Sequence, residues 1–133
     1  MSLLQGKKIL VADDDAAIRR IVQMVLARHG LKVVTAEDGE DAFQKAVIEK
    51  PDAILLDIKM PKMDGLELCS KLKATETTAD IPIAFLTAEK DLESYKQAQE
   101  LGGVLYITKP FNPERLVGTV GLLLSSRRPP RKH

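Results

Sequence analysis

The chain has one cysteine, Cys69, among 133 residues, and two histidines. A single cysteine excludes an internal disulfide, and no second histidine or cysteine is placed to complete a transition-metal site. No apolar run approaches the roughly 20 residues that a membrane-spanning helix needs, and no charged start followed by an apolar stretch indicates a signal peptide. No repeat or low-complexity tract occurs before Ser125. These absences favour a cytoplasmic location, and we expect no membrane partner.

The net charge is also small, at +1, because 20 basic residues nearly balance 19 acidic ones. Four of the basic residues lie in the last seven positions, so residues 1–126 carry 16 basic and 19 acidic residues, a net charge of −3. A mildly acidic globular part gives no reason to expect nucleic-acid binding there. Contact with nucleic acid is therefore expected only through a possible output domain outside this chain.

Five short apolar runs recur along the chain, each bounded by polar or turn residues. They are mostly continuous rather than alternating, which is typical of strands that are buried on both faces. The five runs are Lys8–Ala12, Lys32–Ala36, Ala53–Ile58, Ile81–Thr87 and Gly103–Thr108.

Helical patterns separate and follow these runs. Four of the predicted helices begin at a capping residue, and these residues are Asp15, Asp38, Asp64 and Asn112. Pro113 after Asn112 strengthens the last of these starts. The remaining helix, from about Asp91 to Leu101, has only a thin apolar stripe. Five strands alternating with five helices predict an α/β domain with a parallel sheet covered on both faces, whose ligands bind at the carboxyl ends of the strands.

Polar side chains stand at the ends of four of these strands, and they are Asp13, Asp14, Asp57, Thr87 and Lys109. Carboxylates a few ångströms apart repel one another, so they need a cation or a shared proton. Carboxylate oxygens with open positions beside them suit Mg²⁺. A lysine and a hydroxyl next to such a cation can hold a phosphoryl group, and a carboxylate can be the nucleophile that accepts it.

Four segments of the chain resemble the receiver domain of two-component response regulators, chemotaxis regulators included. These segments are Ile9–Asp14, Leu56–Gly65, Leu86–Ala88 and Tyr106–Phe111. The resemblance implies a flavodoxin-like (βα)5 fold, a doubly wound parallel sheet of five strands in the order 2-1-3-4-5. It extends over residues 7–125, which leaves residues 1–6 as an N-terminal segment and residues 126–133 as a basic tail or the start of a linker.

The resemblance also implies roles for the polar residues. It implies a Mg²⁺ site whose ligands are Asp13, Asp14, Asp57 and the backbone carbonyl of Lys59. It makes Asp57 the phosphoacceptor, with Thr87 and Lys109 in contact with the phosphoryl oxygens. Thr87 and Tyr106 would form the switch, in which Tyr106 turns inward when Thr87 moves. The peptide bond between Lys109 and Pro110 is expected to be cis, a form that is far less costly before proline.

The expected function is that of a signalling switch and not of a metabolic enzyme: the chain would catalyse only its own phosphorylation and dephosphorylation. A sensor histidine kinase or a phosphotransfer protein would supply the phosphoryl group. A downstream effector domain or protein would recognise the surface made by the fourth helix, the fifth strand and the fifth helix. We expect a monomer or a weak dimer, because the fifth predicted helix lacks the row of basic residues that the transcription-factor branch of the family uses for dimerisation.

Alternatives remain open at this stage. A Mg²⁺-dependent aspartyl-phosphate phosphatase would need a second acid two residues after its nucleophile, where this chain has Lys59. A flavin-binding electron carrier would need a hydroxyl- and glycine-rich loop after the first strand, where Asp13–Asp15 would repel a phosphate. A degenerate receiver that acts only as a docking module would lack acceptor-site residues that are present here. Tyr106, as a strand tyrosine, also fits ordinary core packing.

Overall fold

The computed structural model describes residues 4–88 and 105–126. The helix predicted from Asp91 to Leu101, the start of the fifth run at Gly103 and the basic tail lie outside the described residues. In chain order, the described elements are β1 (Lys8–Ala12), α1 (Ala16–Ala27), β2 (Lys32–Ala36), α2 (Gly39–Glu49), β3 (Ala53–Asp57), α3 (Gly65–Ala74), β4 (Ile83–Ala88), β5 (Leu105–Lys109) and a C-terminal helix (Pro113–Ser126).

The five strands form one parallel sheet in the order β2-β1-β3-β4-β5, which confirms the implied topology. β1 lies inside the sheet, with β2 on one side of it and β3, β4 and β5 on the other side. The direction of winding therefore reverses between β1 and β3, and a crevice opens at the carboxyl ends of these two strands. Ala12 pairs with Leu56, so Asp13 and Asp57 each follow the last paired residues at that edge.

Helices cover both faces of the sheet, so side chains alternate between two buried layers along each central strand. Leu10, Ile54 and Phe85 belong to the layer that also includes residues of α2 and α3. Val11, Leu55 and Leu86 belong to the layer that includes residues of α1 and the C-terminal helix. Burial on both faces explains why these strands are continuous apolar runs.

The four predicted capping residues are confirmed. The side chain of each accepts a hydrogen bond of 2.7 to 2.9 Å from a backbone N–H in the first turn of its helix. Asp15 caps α1 only three residues after β1 ends, so Asp13 and Asp14 form a very short link fixed at both ends. Among the described residues, none of the helices combines the length and the apolar character needed to cross a bilayer.

Three strands differ in extent from the sequence prediction, and one of them is β5, which ends at Lys109 and not at Thr108. β3 ends at Asp57 and not at Ile58, and β4 runs from Ile83 to Ala88 instead of starting at Ile81. The N–H of Ile81 donates to the carbonyl of Thr78 in a turn, and Pro82 has no N–H to donate to a neighbouring strand. The pairing of β4 therefore begins after the proline.

Candidate functional site

Three carboxylates meet at the carboxyl edge of the sheet. One oxygen each of Asp13, Asp14 and Asp57 lie within 4.8 Å of one another. Asp13 is fully buried and Asp57 is 8% exposed, whereas Asp14 is exposed to solvent. The structure thus brings together the three acids that the sequence placed at the ends of the first and third strands.

Asp13 is held in place through its backbone and its side chain. Its N–H donates to the carbonyl of Ala36 at 3.1 Å, and its own carbonyl accepts from Nη1 of Arg19 at 2.7 Å. Its Oδ1 accepts from the N–H of Asp15 at 2.9 Å. A buried carboxyl group is costly unless it is hydrogen-bonded, and these contacts hold Asp13 in one position in the floor of the site.

Lys109 links β5 to the acids of the other two strands. Its Nζ lies 2.7 Å from Oδ2 of Asp13 and 3.4 Å from Oδ2 of Asp57. Burial lowers the pKa of Lys109, but the hydrogen bond and charge of Asp13, together with the charge of Asp57, raise this pKa above its ordinary value. The side chain is therefore a cation at neutral pH. The Lys109–Pro110 peptide bond is cis, as expected.

Asp57 is the least stabilised of the buried acids. Burial, with added repulsion from Asp13, raises the pKa of Asp57 to about 6, although Lys109 and the backbone N–H of Lys59 act in the opposite direction. That N–H donates to Oδ1 of Asp57 at 3.2 Å, a weak contact compared with those of Asp13. At neutral pH Asp57 is mainly ionised, and additional positive charge beside it would stabilise that form.

Thr87 and Tyr106 lie on the neighbouring strands β4 and β5, and Thr87 is the one at the edge with the charged groups. Asp57 pairs with Leu86 across β3 and β4, so Thr87 follows directly at the same edge. Thr87 is 1% exposed, and its hydroxyl donates to the carbonyl of Ala88 at 3.1 Å. Tyr106 pairs with Phe85 and packs, half-buried, against the layer that contains Phe85.

Comparison with known proteins gives the family. The family model described as "Response regulator receiver domain" matches residues 9–121. The chain belongs to this family. Receiver domains act mainly as signalling switches and typically bind Mg²⁺ at an acidic pocket. This receiver domain has a cluster of three acids, Asp13, Asp14 and Asp57, at the carboxyl edge of its sheet.

Two curated relatives are transcriptional regulators. The receiver domain is 43% identical over 119 residues to the alkaline phosphatase synthesis transcriptional regulatory protein PhoP of Bacillus subtilis, covering 90% of this chain and 49% of the relative. It is 42% identical over 119 residues to the phosphate regulon transcriptional regulatory protein PhoB of Pseudomonas aeruginosa, covering 90% and 52%. The chain therefore spans about half the length of the curated relatives it matches.

Solved structures agree over nearly the whole fold. A putative response regulator from Chloroflexus aurantiacus superimposes with a TM-score of 0.86 at 33% identity, covering 91% of this chain and 99% of that one. The chemotaxis response regulator CheY4 of Vibrio cholerae gives a TM-score of 0.85 at 34% identity, covering 90% and 100%. Both structures are of the same size class as this receiver domain.

Some residues that support the site have no sequence motif of their own. Arg19 lies four residues after the cap Asp15, which puts it within reach of the end of β1, and this spacing could have indicated its contact with the Asp13 carbonyl. Gly39 begins α2, whereas Lys62 belongs to the loop between β3 and α3, and these two segments touch only in the folded chain. No local pattern identifies such a contact.

Proposed function

We propose that this chain accepts a phosphoryl group on Asp57 from the phosphohistidine of a sensor kinase or phosphotransfer protein. The receiver domain would comprise residues 7–125. The observation that carries the proposal is the convergence of Asp13, Asp14 and Asp57 with Lys109, a cation at neutral pH, on one edge of the sheet. This arrangement is suited to an anion that arrives together with a divalent cation.

The contacts of the three acids support Asp57 as the nucleophile. Both carboxylate oxygens of Asp13 accept short hydrogen bonds, from Asp15 and from Lys109, and these bonds make them weaker nucleophiles than the oxygens of Asp57. Asp57 has longer contacts, of 3.2 and 3.4 Å, and a pKa raised by burial to about 6. A carboxylate with a raised pKa is a better nucleophile than an ordinary one, because its charge is less stabilised.

The residues present fit Mg²⁺, because the clustered donors are all hard oxygen atoms. Asp13, Asp14, Asp57 and the backbone carbonyl of Lys59 would hold it, and when bound it supplies positive charge that offsets the repulsion among the acids and the phosphoryl oxygens. An oxygen of Asp57 forms the new bond to phosphorus as the bond between phosphorus and the donor nitrogen breaks, and the imidazole leaves with the electron pair. Lys109 pairs with the phosphoryl oxygens throughout.

The switch would begin at Thr87. A phosphoryl group on Asp57 adds negative charge and acceptor oxygens beside the Thr87 hydroxyl, which can then exchange its bond to the Ala88 carbonyl for one to phosphate. Tyr106, half-buried next to Phe85, would turn further inward. The altered surface would include β5 and the C-terminal helix, and an effector domain or protein would bind it. The two relatives named as transcriptional regulators support an effector that acts on transcription.

The proposal is tested by incubating the protein with Mg²⁺ and acetyl phosphate and mapping the product by mass spectrometry. We expect one base-labile phosphoryl group on Asp57 and none in Asp57→Asn. Asp52→Asn is the matched control, because Asp52 lies at the opposite edge of the sheet, where it accepts from the N–H of Lys8, and this variant should be labelled as the unmodified protein is. Label on another residue, or label that persists in Asp57→Asn, would contradict the proposal.

A further inference from the structure

The turn between β2 and α2 is in close contact with the loop between β3 and α3, which comprises residues 58–64 and which we call the acceptor loop. A Cβ atom built on Gly39 would overlap the backbone carbonyl oxygen of Met63 and would lie 2.5 Å from the Cβ of Met63. Because backbone atoms cannot move aside as the end of a flexible side chain can, only glycine allows the turn to approach the loop this closely.

An ion pair joins the same two segments. Nζ of Lys62 lies 3.6 Å from Oδ2 of Asp38, whose side chain is mostly buried and also caps α2. Lys62 has a φ of 67°, in the left-handed region that non-glycine residues rarely adopt. The loop therefore has an uncommon backbone conformation at the residue that pairs with the turn.

The acceptor loop is also anchored at its ends. The N–H of Gly65 donates to the carbonyl of Ile58 at 2.7 Å, and a Cβ on Gly65 would overlap the backbone carbonyl oxygen of Asp57. In the sequence, Lys59 lies between Ile58, which accepts the bond from Gly65, and Met63, which contacts Gly39. Its N–H reaches Asp57 at 3.2 Å, so a shift of the loop would move both that donor and the Lys59 carbonyl.

We propose that Gly39 and the Asp38–Lys62 ion pair position the acceptor loop and thereby set the affinity of the acidic site for Mg²⁺. The inference rests on the proposed function, because that function makes the Lys59 carbonyl a metal ligand. Gly39, Asp38 and Lys62 act as positioning residues, because the contacts that join them run between the turn and the acceptor loop, outside the cluster of Asp13, Asp14 and Asp57. The affinity of the site for Mg²⁺ would then depend partly on the turn that follows β2, at the other side of the sheet from β4 and β5.

The deciding variant is Gly39→Ala. Alanine is a better helix former than glycine, so the substitution should not weaken α2. Weaker Mg²⁺ binding in this variant would therefore come from the contact with Met63. By isothermal titration calorimetry we expect the Kd for Mg²⁺ to rise at least tenfold. In the metal-free protein we expect the amide NMR signal of Lys59 to shift as well, which reports the loop directly.

Gly118→Ala is the matched control, because a Cβ at Gly118 meets nothing within 4 Å. It should leave both the Kd and the Lys59 signal unchanged. Lys62→Asn removes the cation while keeping a residue that tolerates a left-handed backbone. We expect a Kd at least twofold higher at low salt, with the original value restored in Lys62→Arg.

The outcomes separate the two proposals. If the unmodified protein does not bind Mg²⁺, the metal site of the proposed function is wrong. If it binds, and folded Gly39→Ala has the same Kd within twofold and an unshifted Lys59 signal, the positioning role is wrong. If Gly39→Ala does not fold, Lys62→Asn decides, and an unchanged Kd in that variant overturns the inference.

Discussion

Replacing Asp57 with asparagine is expected to stabilise the metal-free protein at neutral and alkaline pH. Burial and the charge of Asp13 raise the pKa of Asp57 to about 6 in the folded state, whereas an unfolded aspartate titrates near 3.9. The folded protein therefore binds more protons than the unfolded chain between these two values, and its free energy of unfolding falls as the pH rises through this window. Above the pKa of the folded state, Asp57 is ionised in both the folded and the unfolded protein. The folded protein then carries the full free-energy cost of this buried negative charge.

The size of the effect follows from this difference in pKa. About two pKa units at about 1.4 kcal/mol each give an upper value of about 3 kcal/mol. Asparagine has nearly the same shape, and its amide oxygen can accept from the N–H of Lys59 as the carboxylate does. We therefore expect Asp57→Asn to raise the free energy of unfolding by about 1 to 3 kcal/mol near pH 8, and by no more than about 0.5 kcal/mol near pH 4.

The measurement is urea unfolding followed by circular dichroism, with a chelator present, at both pH values. Glu40→Gln is the control: it removes one acidic charge from an exposed position in the first turn of α2. Glu40→Gln should lower the free energy of unfolding by a few tenths of a kcal/mol, which is about what an exposed acid near a helix N-terminus contributes. The reasoning is refuted if Asp57→Asn is no more stable than the unmodified protein near pH 8, or if its gain is the same at both pH values. Saturating Mg²⁺ should reduce the gain, because the unmodified protein binds the ion more tightly.

Three further outcomes are expected. Asp14→Ala should abolish Mg²⁺ binding in a calorimetric titration and leave the fold intact, because Asp14 is exposed; unchanged binding would remove it from the metal site. Thr87→Ala should still be labelled by acetyl phosphate, but a beryllofluoride mimic should shift the amide signal of Tyr106 less than in the unmodified protein; equal shifts would refute the coupling. Gly65→Ala should lower the thermal midpoint because its Cβ overlaps the Asp57 carbonyl. Gly121→Ala has open space around it and should raise the midpoint, because alanine is more favourable than glycine in a helix by up to about 1 kcal/mol.

Within residues 4–88 and 105–126, the amino-acid sequence alone determined which elements form and which residues cap the helices. β1 and β2 have the predicted bounds, since a continuous apolar run between polar residues is a local signal of a strand buried on both faces. Asp15 and Asn112 were identifiable as caps because a cap bonds to an N–H two or three residues away. A parallel sheet brings the ends of its strands to one edge, and so the order of elements also placed Asp57 and Lys109 near each other.

Tertiary structure decided how the charges are arranged within that edge. Lys109 pairs most closely with Asp13, 96 residues away in the sequence, and only the packing of β5 against the rest of the sheet sets that distance. The raised pKa of Asp57 depends on its burial and on the position of Asp13, neither of which any local pattern specifies. Ile21 fits the apolar face of α1 by spacing but is 43% exposed, because its environment depends on which elements pack beside the helix. Local sequence selects backbone conformation through nearby hydrogen bonds, whereas distances, burial and charge coupling arise only when segments far apart in the chain come into contact.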